Sequence, residues 1–396
     1  MSLRAKLAAL RELLDQDVLA LEPTFFAHGF SAVAGDLDRV RPKVRALGLW
    51  TPHLKDGPAA LSLVEHAHVS EILGRSPLGH YVANCQAPDA GNMELLLAAG
   101  SAEQRQRWFV PLAAGEIRSC FAMTEPDRPG SNPTWIDTRA EPTADGWTLT
   151  GRKWFASSAD GAAFAIVMAT TDPEAPPHRR ASLFIVPTDS SGYRLVGNLA
   201  TMGDAGDGWA SHGEIELDSC RLPADALLGA RGAGFRLAQR RLGPGRIHHA
   251  MRWIGIAERS FDLLCERAIA REIAPGAPLG AEPVVLGWIA EARARIDAAR
   301  GLVLSAAVLV ERDGDGGASK EARIAVALVK FHTVEAMELV VDRALQAHGA
   351  LGMTDRTPLA WFYRHERAAR IYDGADEVHR AAAGRMLLEA RGLARR

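Results

Sequence analysis

Apolar positions recur at helical spacing at both ends of the chain and at strand spacing in the middle. Leu61, Val64, Ala67, Ile72 and Leu73 predict a helix early on, and Met93 to Leu97 begin or continue another. From about Cys120 to Gly229 the runs shorten. Trp147-Thr148-Leu149-Thr150-Gly151 reads as a short strand ending in a turn, Phe164 to Thr170 and Ala181 to Val186 as two apolar strands, and Glu214 to Asp218 as a half-buried strand alternating with period two. Pro173 to Arg180 is a polar, Pro-rich loop between strands. After Gly232 the helical spacing returns in three long sets: Trp253, Ile254, Ala257, Phe261 and Leu264; Trp288, Ala292, Ile296, Ala299 and Val303; Ile324, Ala327, Phe331, Val334, Met337, Val341 and Leu345. Long amphipathic helices of this kind pack as antiparallel bundles. Asp313-Gly314-Asp315-Gly316-Gly317 is expected to be a loop between two of them.

The expected order is a helical domain over residues 1–119, a β domain over 120–229 and a helical bundle over 230–396. The fold class is mainly α with a central β domain, and clefts where such domains meet commonly bind cofactors. Composition narrows the function. Net charge is -2, so no general basic field attracts nucleic acid or anionic lipid. Cys85, Cys120, Cys220 and Cys265 lie far apart with no C-x-x-C pair. That spacing argues against a zinc ribbon or a disulfide scaffold and fits a reducing, cytoplasmic setting. The opening Met1-Ser2-Leu3-Arg4-Ala5-Lys6 is charged and lacks a signal-peptide core. No membrane span is expected: the longest mostly apolar run, Leu302 to Val310, falls well short of the roughly 20 residues needed.

Four segments carry candidate chemistry. Ser119 to Asn132 sits where helix gives way to strand; Thr124, Ser131 and Asn132 offer hydrogen-bonding groups, and Gly130 lets backbone approach a ligand, although an exposed interdomain loop would look the same. Gly151 to Ala159 places Trp154 and Phe155 ahead of Ser157 and Ser158, a pairing that could wall and hydrogen-bond a flat ring or simply be a hairpin arm with buried aromatics. Gln346-Ala347-His348-Gly349-Ala350-Leu351-Gly352 closes the last long helix, which its glycines alone would explain. In Arg370-Ile371-Tyr372-Asp373-Gly374-Ala375-Asp376-Glu377, the last two acids suit the first turn of a final helix. Asp373 stands apart: Ile371, Tyr372 and Ala375 suggest a partly buried surrounding, and a desolvated carboxylate is a better base. Arg246-Ile247-His248-His249 is expected to open the helix carrying Trp253. Its adjacent histidines point to different sides, and no H-E-x-x-H occurs, so no metal site is expected.

Taken together, these segments resemble the acyl-CoA dehydrogenase family over nearly the whole chain. Met123-Thr124-Glu125-Pro126 with Gly130-Ser131 is similar to the family's flavin-contacting signature, and Gly151-Arg152-Lys153 to Ser157 to its second flavin motif. Gln346 to Gly349 is similar to its Q-x-x-G-G motif, and Arg370-Ile371-Tyr372-Asp373-Gly374 to its R-I-Y-E-G catalytic segment. Asn84 to Asp89, Gly91 to Glu94, Gly243 to His249 and Asp373 to His379 further resemble one branch, which includes large eukaryotic proteins fused to kinase-like domains. The resemblance implies an N-terminal helical domain, a β-barrel or sandwich middle domain and a C-terminal four-helix bundle. FAD would lie between the β domain and the bundle, completed by a neighbouring subunit of a homodimer or homotetramer. It implies Phe121, Met123, Thr124, Gly130, Ser131, Phe155, Ser157, Arg271, Gln346, Gly349, Asp376 and Glu377 toward the cofactor. Ser131, Arg246, Tyr372 and Gly374 are implied toward the substrate.

The activity so implied is α,β-dehydrogenation of an acyl-CoA to a trans-2-enoyl-CoA. Asp373 would be the α-proton base, and an electron-transfer flavoprotein the acceptor. The departures are specific. The usual catalytic Glu is Asp373, one methylene shorter; Gly245 stands at an alternative base position; the Arg-x-x-Phe-Gly stretch is blurred after Arg271; and Ala350 replaces the second Gly of Q-x-x-G-G. An Asp base also suits a flavin oxidase of the nitroalkane oxidase kind on the same fold. A helical scaffold without cofactor is the reading from another class, against which the retained Thr124, Ser131, Ser157, Gln346 and Asp373 count.

Overall fold

The computed structural model describes residues 1–313 and 319–394, with residues 242–244 described by their backbone only. The glycine-rich stretch expected as a loop after Asp313 thus lies, from Gly314 to Gly317, outside the described residues. Among the described residues, thirteen α-helical segments run in order: α1 Leu3–Leu13, α2 Glu22–His28, α3 Ala34–Ala46, α4 Leu63–Leu73, α5 Gly79–Val82, α6 Asp89–Ala99, α7 Ala102–Gln104, α8 Val110–Ala114, α9 Gly234–Ala270, α10 Pro283–Asp313, α11 Lys320–His348, α12 Leu359–Glu366 and α13 Asp376–Glu389. Between α8 and α9 come the strands β1 Ser119–Ala122, β2 Arg139–Pro142, β3 Gly146–Ser157, β4 Phe164–Thr170, β5 Ala181–Pro187, β6 Tyr193–Asn198, β7 His212–Pro223 and β8 Leu227–Leu228.

By packing, the chain divides into two compact units: residues 1–28, 35–83 and 243–396 form one, residues 29–34 and 84–242 the other. The core of the first is built by α9, α10 and α11 together with α4 and α12. Trp253, Ile254 and Ala257 meet Ala292, Ile296 and Val303, and both sets meet Val334, Met337 and Val341. These are the apolar positions at three- and four-residue steps, and burial of one such stripe per helix is what holds a bundle together. Ser62 starts α4 with a reciprocal capping box: its hydroxyl accepts from Glu65 N at 3.1 Å, and its own N–H donates to the Glu65 carboxylate at 2.9 Å.

In the second unit the described strands form one eight-stranded sheet in the order β6-β7-β3-β2-β4-β5-β8, with β1 pairing in parallel to β4. Cys120, Leu149, Ala165, Val167, Phe184, Val186, Ile215 and Leu217 fill its core. The apolar runs expected at 164–170 and 181–186 are β4 and β5, paired antiparallel. Two features differ from expectation. The short strand at Trp147 continues to Ser157, with register shifts after Leu149 and Lys153 that carry it past β7. β2 carries only Ala140 inward, and its polar residues are strand because β3 pairs with them from Arg139 to Pro142. In the bundle, α9 begins at Gly234, so Arg246 to His249 lie inside the helix instead of opening it. Full burial of Ile247, Ala250 and Met251 in the core overrides the weak local preference of the preceding glycine-rich stretch.

Candidate functional site

Within the first unit, Asp373 lies in the turn between the segment after α12 and the start of α13. Its φ is +55°, and Gly374 follows at +95°. A β-carbon on Gly374 would come 2.8 Å from His379 Nε2, so that position accepts only glycine without displacement. The turn is held through its backbone. The Asp373 carbonyl accepts from Arg246 Nη2 at 3.1 Å and Nε at 3.2 Å, and from His379 Nε2 at 3.0 Å. Because a carbonyl only accepts, His379 carries its proton on Nε2. Burial pushes His379 down to about 4; the hydrogen bond to the Asp373 carbonyl opposes it, and the nearby Arg246 and Lys330 charges add smaller downward contributions.

Both flanks of the turn are anchored. Downstream, buried Asp376 accepts from Lys330 Nζ at 3.0 Å and Arg370 Nε at 2.8 Å, and Arg370 reaches Glu338 at 3.2 Å. Upstream, the Tyr372 hydroxyl accepts from Arg252 Nη2 at 2.9 Å and Trp253 Nε1 at 3.1 Å, while Arg252 grips Glu366 with both terminal nitrogens. Ile371, expected to help bury the site, is 65% exposed; enclosure comes from α9 through Arg246, His249 and Trp253 instead. The Asp373 carboxylate is itself largely covered, with His249 Nε2 3.5 Å from its Oδ2.

Behind His249 the same unit holds a group of buried imidazoles. His66 packs on His248 with ring centres 4.0 Å apart, and His53 lies 6.2 Å from His66. The Ser70 hydroxyl donates to the His248 carbonyl at 2.9 Å and so accepts from His80 Nε2 at 2.9 Å. Burial drives His53 and His248 down to about 3, and burial with the neighbouring rings takes His66 well below the ordinary range. Among the described residues, no three His, Cys, Asp or Glu side chains are arranged to hold a metal ion.

The second unit contains the loop after β1. Glu125 is its keystone: its carboxylate accepts from Asp137 N at 2.5 Å, Thr138 N at 2.9 Å and Lys153 Nζ at 2.8 Å, and Lys153 also donates to Met123 O at 3.0 Å. Lys153 is fully buried, and burial lowers it to about 8 although Glu125 pulls the other way. Burial raises Glu125, but Lys153 and the backbone donors outweigh it and leave the carboxyl below its usual range. The Thr124 carbonyl accepts from Trp154 N at 3.0 Å, tying the loop to β3. Thr124 and Gly130 line one recess, and Ser131 is exposed beside them. Phe155 has φ +49° and shows 45% of its surface, edge-on to Trp154, whose Nε1 is buried without a hydrogen-bond partner in the chain. Ser157 Oγ lies 2.9 Å from His212 Nδ1, Met123 is half-buried, and Phe121 lies beneath the Arg241 guanidinium at 4.5 Å.

The other candidates are dispersed. Gln346 and Gly349 are exposed at the end of α11, where Gly349 adopts φ +60°. Arg271 is exposed just past α9, ahead of a small hairpin, Glu272–Ala274 with Ala277–Pro278, that the sequence reading lacked. Glu377 is exposed on the first turn of α13, whereas Asp376 beside it commits both oxygens to Lys330 and Arg370. Glu125, Lys153, Lys330, His249 and His379 are participants to which the sequence motifs assign no role. Lys330 left a signal, as a lone cation four residues from Val326 and Val334 on the buried face of α11. The segments around Asn84 and Asn92 prove to be structural. Asn84 donates to Leu112 and Ala113 carbonyls, Asp89 accepts from Ser119 N and Oγ, and Asn92 donates to Ser119 Oγ, together fixing β1.

Comparison with known proteins places the chain's three segments in one family. Residues 10–116, 120–220 and 232–388 match the acyl-CoA dehydrogenase N-terminal, middle and C-terminal domains respectively. FadE2 of Mycobacterium tuberculosis is 40% identical over 87% of this chain and 83% of its own length. Acyl-CoA dehydrogenase family member 10 of Mus musculus is 38% identical over 96% of this chain but only 36% of its own length, so the chain spans about a third of that relative. A solved Mycobacterium abscessus structure of the acyl-CoA dehydrogenase type superposes with a TM-score of 0.93 at 39% identity, covering 98% of each chain. A helical segment, a β segment and a helical bundle in this order, each matching its own family domain, leave one assignment: the chain belongs to the acyl-CoA dehydrogenase family, oxidoreductases that act on CH–CH groups and are generally FAD flavoproteins.

Proposed function

We propose that the protein catalyses FAD-dependent α,β-dehydrogenation of an acyl-CoA thioester to the trans-2-enoyl-CoA, with Asp373 as the base that removes the α-proton. The observation that carries the reading is the turn at Asp373. A non-glycine residue in a left-handed conformation, its carbonyl clamped by Arg246 and His379 and its carboxylate left to face His249, is backbone strain maintained by its surroundings. Strain of that kind concentrates at functional sites. FAD, when bound, supplies the acceptor for the β-hydride.

The chain's residues fit such a group. The orphaned Trp154 Nε1, the outward ring of Phe155 and the Thr124–Gly130 recess offer a donor, a flat apolar face and a close backbone approach. In this reading Met123, Thr124, Ser131 and Ser157 hydrogen-bond or pack against the flavin, while Gln346 and Gly349 serve the adenine half in an oligomer. Asp373 removes the proton, and its own backbone N–H stabilises the charge developing on the thioester oxygen. An electron-transfer flavoprotein reoxidises the enzyme.

The test is an anaerobic titration of the purified holoprotein with saturated acyl-CoAs of several lengths, followed in the visible spectrum. The expected result is flavin bleaching by at least one thioester and none in Asp373→Asn, which keeps its bound flavin. A spectrum indifferent to every thioester but bleached by nitroalkanes would replace the reading with an oxidase.

A further inference from the structure

Asp373 is not alone at the point where the proposed reaction starts. His249, one helical turn before Trp253 on α9, places Nε2 3.5 Å from Asp373 Oδ2. Its ring is fixed by stacking at 26° to Trp253 and by packing on Tyr372 at 5.6 Å between centres. Tyr372 is itself held by Arg252 and Trp253. The imidazole keeps 23% of its side chain exposed, so a proton on it has a route to water. The groups facing it are Asp373, the Tyr372 ring, and His80 and His248, whose own ionisation its charge opposes. Arg246 is occupied with the Asp373 backbone carbonyl. The other groups that hold this turn act on its backbone or flanks; His249 meets the carboxylate.

We propose that His249 is the proton partner of Asp373, orienting its Oδ2 and taking up the proton that Asp373 removes from substrate. The inference rests on the reading of Asp373 as the base. The Cα–H bond breaks and its proton bonds to Asp373. The electron pair of that bond becomes the new Cα=Cβ bond as the β-hydride leaves to the acceptor. The Asp373 O–H bond then breaks, the proton bonds to His249 Nε2, and the neutral imidazole becomes a cation beside a restored carboxylate. The imidazolium later yields its proton to water.

The test isolates proton transfer from oxidation. Holoenzyme reduced beforehand with dithionite cannot accept hydride. In D2O it reads the exchange of substrate C2 hydrogens as a mass increase of a saturated acyl-CoA. Against wild type, His249→Gln is expected to slow exchange on the scale of one proton-transfer group, about 100-fold or more. Oxidised His249→Gln should lose a smaller factor in single-turnover flavin reduction, because the base itself is retained. Imidazole added to His249→Ala should restore exchange. Circular dichroism reports folding, and His249→Asn serves if the Gln variant does not fold. Exchange at the wild-type rate in a folded His249 variant overturns the proposal. If Asp373→Asn exchanges at the wild-type rate, the reading of Asp373 fails instead; if Asp373→Asn is inert while His249→Gln is unchanged, only the role of His249 falls.

Discussion

The buried imidazoles make acid stability the sharpest physical test of the first unit. A histidine whose folded pKa lies below its unfolded value contributes stability that is present above the unfolded pKa, near 6.5, and is lost as pH falls toward the folded pKa. Over that window the unfolded chain binds protons that the folded chain refuses. His53 and His248, held down to about 3 chiefly by burial, each act this way from roughly pH 6.5 to 3. For one such group the protonation of the unfolded state amounts to about 2 kcal/mol between pH 7 and pH 5. The two together cost about 4 kcal/mol, with His66 and His80 shifted in the same direction. Against a total stability of roughly 5–15 kcal/mol, that is enough to bring unfolding close to pH 5.

The perturbation is His53→Phe, which keeps the ring volume and removes the titrating group. Urea unfolding at a series of pH values gives the stability difference. The variant is expected to lose about 2 kcal/mol less than wild type between pH 7 and pH 5. Curves for the two proteins that run parallel over that interval would show that His53 is protonated in the folded state, and the account of the cluster would be wrong.

Other expectations follow from the anchored loops. Lys153→Met strands Glu125 among its backbone donors, and Asp376→Asn leaves fully buried Lys330 without a counter-charge. Each should cost about 3–5 kcal/mol in chemical denaturation, and a loss below 1 kcal/mol would mean the pair is not buried as described. The double variant Lys153→Met/Glu125→Gln should lose less than the sum of its singles, which a double-mutant cycle measures. Gly374→Ala forces a β-carbon 2.8 Å from His379 Nε2 at φ +95°, so C2 exchange in the reduced enzyme should fall by about 100-fold with flavin content unchanged. Trp154→Phe removes the buried Nε1 that lacks a partner in the chain; weakened FAD retention in dialysis is expected, and unchanged retention would remove Trp154 from the cofactor's contacts.

Legibility in the sequence followed periodicity. The long stripes of α9, α10 and α11 and the apolar runs of β4 and β5 are regular over many residues, so the core was readable from spacing alone. β2 and β6 were not, because their strand character comes from pairing with β3 and β7 and their side chains are mostly exposed or half-exposed. The candidate site was legible where a motif is continuous, as in Arg370 to Gly374. It was illegible where the partner arrives from elsewhere in the chain. Lys153 is 28 residues from Glu125, Lys330 is 46 from Asp376 and Arg246 is 127 from Asp373, and no local pattern joins such pairs. His248 and His249 are adjacent in the sequence, but the helix separates their roles: one ring packs on His66 and the other meets Asp373.

On the proposed reading of Asp373 as the base, the arrangement around it also bears on how a short carboxylate would serve. An aspartate has one methylene less with which to adjust, so its backbone must carry the precision that a longer side chain could supply by rotation. A left-handed turn at a non-glycine residue costs roughly 1–3 kcal/mol and does not hold itself. Here α9 supplies Arg246 to its carbonyl, α13 supplies His379, α11 supplies Lys330 to the downstream anchor, and α12 supplies Glu366 to the upstream one through Arg252. Four helices therefore fix one peptide unit. Buried ion pairs such as Lys330–Asp376 are weak contributors to net stability once their desolvation is counted, so thermodynamic gain is a poor explanation for several of them at one turn. Positional precision is a better one. Displacement of a reacting group by about 1 Å can cost on the order of 100-fold in rate. In the proposed role of Asp373, a base with little reach set on a strained backbone is where such a foundation would have its largest effect.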